Sequence, residues 1–336
     1  MDKYFKDTIL REWRVSDVGE PADVLALEEN TESFEAGLGQ LKIKVEAAGL
    51  GLPDVFMCKN TYPLTPPLPF VPSQEAAGVV VSVGENVSQD MVGKRLLGPT
   101  LIQAKRGGLA EFCLMSAHAV YEIPDGMSGE EAAGFFIPYQ TAYVGLVHRA
   151  KLTADDTVVV LGASGSSGCA AVQLVKAVGA RVIAVAGGPE KSAFCRDLGA
   201  DEVIDHRSED ITQRTRELTD GLGVDVAFDP VGGRPGRAVF KAMAFEGRFV
   251  VIGFASGEWA RVDISETLFG NISLVGAMPT GFKPEFYSKA HAELMNYWKE
   301  GKLKVVGNQV FQFEDGLKAI QHIASGKVEG KVVVSI

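Results

Sequence analysis

The sequence predicts an α/β protein: a parallel sheet covered by helices, set inside a chain whose two ends build a separate β-rich domain. Three observations predict it. From about residue 157, short apolar runs at 157–161, 181–185, 202–204, 225–228, 248–252 and 273–275 alternate with helical periods. Strands buried on both faces by crossover helices give that pattern. The first third instead carries strand compositions at 8–13, 41–47, 78–83 and 112–115, divided by turn clusters such as Pro66-Pro67-Leu68-Pro69, and few helices are expected there. After about residue 277 the alternation ends. Pro284 opens an amphipathic helix through Trp298 that Gly301 closes, a second helix covers 314–324, and a last strand runs over 331–335. At about 150 residues per domain, a chain of 336 residues holds two. The expected limits are 1–136, completed by 282–336, and 137–281.

Composition excludes several function classes. Lys and Arg number 33 against 43 Asp and Glu, a net charge of −10, so no global field draws nucleic acid or anionic lipid. A hydrophobic share of 46 % with 23 % charged residues excludes disorder. The apolar stretch 134–147 is interrupted by Pro138, Gln140 and Thr141 and falls short of the roughly 20 residues of a membrane span, so no membrane partner is expected. Cys58, Cys113, Cys169 and Cys195 stand alone, and the start Met1-Asp2-Lys3-Tyr4-Phe5-Lys6-Asp7 has no apolar core of signal type, which places the chain in the reducing cytoplasm. Cys58 reads as a small buried hydrophobe rather than a reactive thiol.

The sharpest motif is Val160-Leu161-Gly162-Ala163-Ser164-Gly165-Ser166-Ser167-Gly168, between the first apolar run and a helix whose stripe is Ala171, Leu174, Val175 and Val178, stopped by Gly179. A dinucleotide fingerprint needs a tight turn, a position without a side chain against the pyrophosphate, and close helix packing. Ala163, Gly165 and Gly168 meet those needs as A-x-G-x-x-G. Helix-start N–H groups, with Ser164, Ser166 and Ser167 around them, then hold the phosphates. The alternative is a glycine-rich loop without a ligand. The second run ends Ala184-Val185-Ala186-Gly187-Gly188-Pro189-Glu190-Lys191. Gly187 lies where an NAD site usually places an acid, and Lys191 follows in position to pair with a 2′-phosphate, which favours NADPH over NADH. Glu190 reads as a first-turn carboxylate favoured by the helix dipole ahead of a ribose ligand. His206 and Arg207, past the third run, either add contacts around the adenine end or form a solvated loop.

Further blocks lie in order along the chain: Pro72-Ser73-Gln74-Glu75-Ala76-Ala77-Gly78, Gly108-Leu109-Ala110-Glu111-Phe112, Leu198-Gly199-Ala200-Asp201, Asp229-Pro230-Val231-Gly232-Gly233, Gly253-Phe254-Ala255-Ser256-Gly257 and Gly330-Lys331-Val332-Val333-Val334. With the glycine turn they make the chain resemble the zinc-independent medium-chain dehydrogenase/reductases, in particular the NADPH:quinone oxidoreductase, zeta-crystallin-like branch. The resemblance implies a Rossmann doubly wound parallel sheet plus a GroES-like, partly open β-barrel built from both chain ends. It also implies a homodimer joined through the edge strand 273–276. Thr141 matches the family position near the carboxamide end, and Phe254, Ala255 and Ser256 should line the nicotinamide side.

Zinc-dependent relatives carry a Cys ligand near position 50, a His-Glu pair where this chain has Gln74-Glu75, and a four-cysteine cluster. This chain has none of these, and His118, His148, His206, His291 and His322 show no paired spacing, so neither zinc nor a flavin is expected. The family's Asn and Tyr before Asp54 are also missing from Gly49-Leu50-Gly51-Leu52-Pro53-Asp54. Tyr62, in Asn60-Thr61-Tyr62-Pro63, is the substrate-side candidate or else a packed turn tyrosine. Gln74 either faces the substrate or hydrogen-bonds a loop. Hydride transfer asks the protein mainly for position and electrostatics, because the cofactor carries the hydrogen. The expectation is therefore an NADPH-dependent, metal-free reductase of a small-molecule quinone or other α,β-unsaturated carbonyl. The alternatives are an enoyl-thioester (acyl-CoA) reductase, weakened by Leu52, and a non-catalytic NADPH-binding protein.

Overall fold

The computed structural model describes residues 10–30, 34–307 and 309–336. Two compact units emerge, Met1–Ile137 with Gly307–Ile336, and Pro138–Val306. The first opens with β1 (Leu10–Val15), α1 (Pro21–Val24) and β2 (Leu25–Asn30), where β1 and β2 pair antiparallel. Of the strand expected at 8–13, residues 8 and 9 lie outside the described residues, and pairing continues to Val15.

Next come β3 (Gln40–Leu50), α2 (Leu52–Cys58), β4 (Glu75–Val83), β5 (Arg95–Pro99), β6 (Phe112–Ser116) and β7 (Tyr121–Glu122). Strand β3 is the spine, antiparallel to both β4 and β6. Its inward residues Leu41, Ile43 and Val45 meet Val80, Leu96, Cys113 and Met115 in one apolar cluster. A second cluster gathers Trp13, Val15, Leu50, Val55, Phe70 and Leu109. Such β-branched and aromatic residues suit a pleated, half-buried surface.

Helix α3 (Gly129–Ala142) has no counterpart in the sequence reading. It is apolar nearly all round and contains Pro138, so the amphipathic period that marks a surface helix is missing. The Ile137 N–H, just before that proline, donates to Glu75 Oε2 at 2.7 Å. The helix widens into i→i+5 turns over Tyr143–Arg149.

The second unit alternates as expected: β8 (Thr157–Leu161), α4 (Ser166–Val178), β9 (Arg181–Ala186), α5 (Pro189–Asp197), β10 (Glu202–Asp205), α6 (Ile211–Leu218), β11 (Val224–Asp229), α7 (Gly233–Phe240), β12 (Met243–Val251), α8 (Ser265–Gly270), β13 (Ser273–Gly276) and α9 (Pro284–Lys299). All strand pairs are parallel, in the order β10-β9-β8-β11-β12-β13. This is the Rossmann sheet, and its winding reverses between β8 and β11, where such sheets take their ligands.

The return to the first unit falls at Gly307, not at 282. Helix α9 stays with the second unit because its segment is fastened there. Tyr143 Oη donates to Glu293 Oε2 at 2.7 Å, and Tyr139 Oη donates to the Lys304 carbonyl at 2.7 Å. The Lys304 N–H donates to Gln173 Oε1 at 2.9 Å. The chain then closes with β14 (Gln309–Gln312), α10 (Gly316–Ala324) and β15 (Val332–Ser335). Strand β15 runs antiparallel to β3 and parallel to β14, so the end of the chain completes the first sheet.

Candidate functional site

In the second unit the predicted cofactor residues other than Thr141 follow the carboxyl ends of the parallel strands. The turn after β8 is made by Gly162, whose φ of +57° lies in the left-handed region. Sequence reasoning gave that role to Ala163. Instead Ala163 is buried and its N–H donates to the Val185 carbonyl at 3.1 Å, tying the turn to β9. Ser164 is buried beside it, whereas Gly165, Ser166 and Ser167 are partly exposed. An ideal Cβ on Gly168 would stand 2.2 Å from the Gly162 carbonyl, so only glycine lets α4 start this close to the turn. On Gly165 it would meet only that same carbonyl within 4 Å, at a tight 3.3 Å. The first N–H groups of a helix have no acceptor within it, and those of α4 begin right after Gly165.

Beyond β9 and β10 the structure assembles a basic corner. Asp205 Oδ1 accepts the Gly188 N–H at 2.8 Å and the Arg207 N–H at 3.0 Å. The His206 N–H donates to the Ala186 carbonyl at 3.1 Å. These bonds bring two strand ends together, and the two accepted N–H groups hold the Asp205 carboxyl below its ordinary range. As a result an ideal Cβ on Gly187 would lie 2.7 Å from His206 Nε2 and 3.2 Å from Arg207 Nε. The ends of the His206 and Arg207 side chains, both exposed, thus lie close to Gly187. Lys191 is half-buried on the first turn of α5, next to the exposed Glu190.

Past β11, Asp229 is 1 % exposed, and its Oδ1 accepts the N–H groups of Val231 (2.9 Å) and Gly232 (2.7 Å). Burial pushes its carboxyl up to about 6 despite those two bonds. The residues after β12 hang on the same turn: Ala255 N–H donates to the Pro230 carbonyl (3.0 Å) and Ser256 N–H to that of Val231 (2.9 Å). The Phe254 ring lies 4.7 Å from that of Trp259. Thr141 stands elsewhere in the chain, buried on α3. Its neighbour Gln140 is 2 % exposed, and neither of its side-chain polar atoms is hydrogen-bonded.

In the first unit the two substrate-side candidates, Tyr62 and Gln74, are both partly exposed. Burial raises the Tyr62 phenol's pKa, and Gln74 opposes that rise. Beneath them lies a buried polar frame that sequence reasoning missed. Asp54, at the first turn of α2, accepts the Gly51 N–H with Oδ2 and the Ser73 N–H with Oδ1, both at 2.8 Å. Burial raises its carboxyl to about 6 against those bonds. Ser73 is fully buried with a φ of +78°, rare for a residue with a side chain. Thr100 Oγ1 donates to the Ser73 carbonyl at 2.7 Å, and Ser73 Oγ donates to that of Glu75 at 2.8 Å. Glu75 Oε1 meets Lys331 Nζ at 2.5 Å, both nearly sealed from water.

Cys58 is buried, and burial lifts its thiol to about 12, which makes it inert near neutrality. Among the described residues, no group of three or more His, Cys, Asp or Glu could hold a metal ion. No helix among them is long and apolar enough to cross a membrane.

Two family models match the chain, the alcohol dehydrogenase GroES-like domain over residues 37–125 and the zinc-binding dehydrogenase over residues 168–295. The quinone oxidoreductase-like protein 2 homolog of Nematostella vectensis is 35 % identical over 327 residues, covering 95 % of this chain and 87 % of that one. A mycobacterial protein solved in complex with NADPH superposes with a TM-score of 0.89 at 30 % identity, over 97 % of this chain and 100 % of the other. The quinone oxidoreductase of Pseudomonas syringae pv. tomato also gives 0.89, at 26 % identity over 98 % and 100 % of the two chains.

Proposed function

Because the chain belongs to the medium-chain dehydrogenase/reductase superfamily, in its quinone oxidoreductase branch, we propose that it is an NADPH-dependent reductase of quinones or other α,β-unsaturated carbonyls that needs no metal. The observation that carries the cofactor half is the corner at Gly187: the β9 end offers no acid to a ribose hydroxyl and presents His206 and Arg207 instead. A guanidinium pairs well with a phosphate, and Lys191 adds a further cation on α5. The start of α4 after Gly165, with Ser166 and Ser167, suits a pyrophosphate held by unpaired helix N–H groups. Bound NADPH supplies the hydride. The chain's own residues then have to hold the cofactor, bring up the acceptor and stabilise charge on its carbonyl oxygen.

The test is cofactor oxidation, followed by absorbance with NADPH and with NADH, against a benzoquinone, a phenanthrenequinone, a simple enone and crotonyl-CoA. Turnover of the quinones or the enone with NADPH preferred is the expected result. Turnover of crotonyl-CoA alone would move the assignment to thioester reduction, and NADPH binding without any turnover would favour a binding protein. Arg207→Ala should weaken NADPH binding at least about tenfold, the loss of one charge-assisted pair, and leave NADH binding nearly unchanged. Equal losses would remove Arg207 from the 2′-phosphate.

The same reading includes a homodimer through β13, the last strand of the sheet, paired on one side by β12. Around it the segment 264–274 exposes Ile264, Leu268 and Phe269 at 77, 70 and 85 %. A flat strand edge flanked by large apolar groups is a site for pairing with a second copy. Four cysteines, all buried thiols, agree with a reducing compartment such as the cytoplasm.

A further inference from the structure

At the amino ends of its strands, opposite the end that carries the Gly162–Gly168 turn, the parallel sheet holds a cavity that the reductase reading does not use. Its volume is about 210 Å³, and its walls include Thr157 and Arg181, the first residues of β8 and β9, Asp225 of β11, Ala244 of β12, and Asp220 and Leu222 from the loop before β11. Sites for drug-sized ligands run to roughly 300–1,000 Å³, so this one admits a smaller metabolite. The loop wall is firmly built. It turns through Asp220, Gly221 and Gly223, whose φ values of +51, +83 and +88° are all left-handed. Thr219 Oγ1 donates to the Thr215 carbonyl at 2.8 Å and accepts the Gly223 N–H at 3.0 Å. Arg216 donates to the Gly221 carbonyl at 2.8 Å and to that of Lys241 at 3.0 Å, which ties the loop to the turn before β12. These fastenings hold Leu222 out of the core, 76 % exposed on the cavity wall.

Opposite charges line this space without meeting. Arg181 Nη1 donates to the Leu218 carbonyl at 2.9 Å, whereas Nε and Nη2, the two-pronged side of the guanidinium, bond nothing among the described residues. Asp201, which feels the Arg181 charge, is already taken by Lys176 at 2.7 Å and by the Val182 N–H at 2.8 Å. Asp225 Oδ2 accepts the Thr157 N–H at 2.8 Å, while Asp225 Oδ1 and the Asp220 carboxylate accept nothing among the described residues. A guanidinium fork and two carboxylates on one cavity are thus left open to a third party. A lone anion there would face the two acids, and a lone cation would face the guanidinium. A molecule carrying both signs satisfies both walls. We propose that the cavity binds a free α-amino acid, its carboxylate on the Arg181 fork, its ammonium on Asp225 and Asp220, and a short apolar side chain against Leu222 and Ala244. The fork suits a carboxylate bidentately, and the Thr157 hydroxyl supplies a third acceptor for the ammonium's three N–H groups. Such binding is independent of what the opposite end of the sheet reduces.

Isothermal titration of the full chain with glycine, L-alanine and L-leucine is the test, followed by the N-acetyl and amide forms of the tightest binder, each of which lacks one charge. At least one amino acid should bind with a Kd below about 1 mM, and both modified forms at least about tenfold more weakly. Arg181→Met should weaken binding by at least the same factor. So should Asp225→Asn, which keeps an oxygen for the Thr157 N–H and removes the charge. No saturable binding by any of the three at about 10 mM would overturn the site. An N-acetyl form that binds as tightly as the amino acid would overturn the zwitterion, and so would binding untouched by Arg181→Met. That variant also gives up the bond to the Leu218 carbonyl. Should it fail to fold, the backbone N–H signals of Thr157 and Gly223 in isotope-labelled parent must still shift as the amino acid is added, and unshifted signals would refute binding at this cavity.

Discussion

Asp229 is buried as a carboxylate with two turn N–H groups on one oxygen, and those bonds do not offset the loss of water. Its folded pKa of about 6 lies above the ordinary value of 3.8, so between those pH values the folded chain binds more protons than the unfolded chain. The contribution of Asp229 to stability is therefore full below about pH 4 and falls as pH rises towards 6 and just beyond. Asp229→Asn keeps the accepting oxygen and cannot ionise. Denaturant unfolding at a series of pH values should show the parent losing stability relative to this variant across that window, by on the order of 2 kcal/mol, and a constant gap on either side. A gap independent of pH would mean that Asp229 titrates normally. Neither Asp229 nor Asp54 announces its burial in the sequence. Each sits in a loop-forming stretch where a solvated acid is the ordinary expectation, and only long-range packing, such as Ser73 reaching Asp54, takes it out of water. The sequence left Arg207 between the adenine end and a solvated loop, and its place beside Gly187 depends on the Gly188 N–H donating to Asp205, 17 positions away.

The helix start after β8 separates two kinds of glycine. Gly168→Ala places a methyl group 2.2 Å from the Gly162 carbonyl, so α4 must move off the turn, and the midpoint of thermal unfolding should fall by several degrees, as a loss of about 2 kcal/mol implies. Gly165→Ala meets that carbonyl only at 3.3 Å and should leave the midpoint within about 2 °C, while NADPH binding, followed by nucleotide fluorescence, weakens at least about tenfold. Binding unaffected by Gly165→Ala would show that the space above it is not where the pyrophosphate lies. This element was readable because strand, turn and helix are contiguous and their signals local: a β-branched run, small residues, then an apolar stripe stopped by Gly179. Helix α3 was not, since burial on nearly every side erases the period that reveals a helix, and Pro138 argues against one. Strands β2 and β5 escaped for a related reason. Leu25-Ala26-Leu27-Glu28-Glu29-Asn30 is half polar and does not alternate, and Arg95-Leu96-Leu97-Gly98-Pro99 ends in strand breakers, so pairing rather than propensity makes them strands.

For the molecule as a whole, the open side of β13 carries a prediction about assembly. Leu274→Pro removes an outward-facing backbone donor from the edge strand, and Phe269→Glu charges the exposed face of α8. Light scattering coupled to size-exclusion chromatography should find a dimer for the parent and a monomer for the double variant, and a monomeric parent would end the proposal. The domain plan was legible except at the return crossing, which lies about one helix later than expected because Tyr139, Tyr143 and Gln173 fasten α9 and the segment behind it. The ion pair between Lys331 and Glu75 bridges 256 positions, and β15 lays the end of the chain against β3. The second unit, in contrast, is one uninterrupted stretch. During synthesis the ribosome therefore delivers the whole nucleotide-type unit while the first still lacks two strands and the lysine that neutralises a carboxylate meant for its interior. Until those residues emerge, the early strands wait with an open edge and an unpaired acid, which makes the nascent β-rich half the segment most exposed to misassembly.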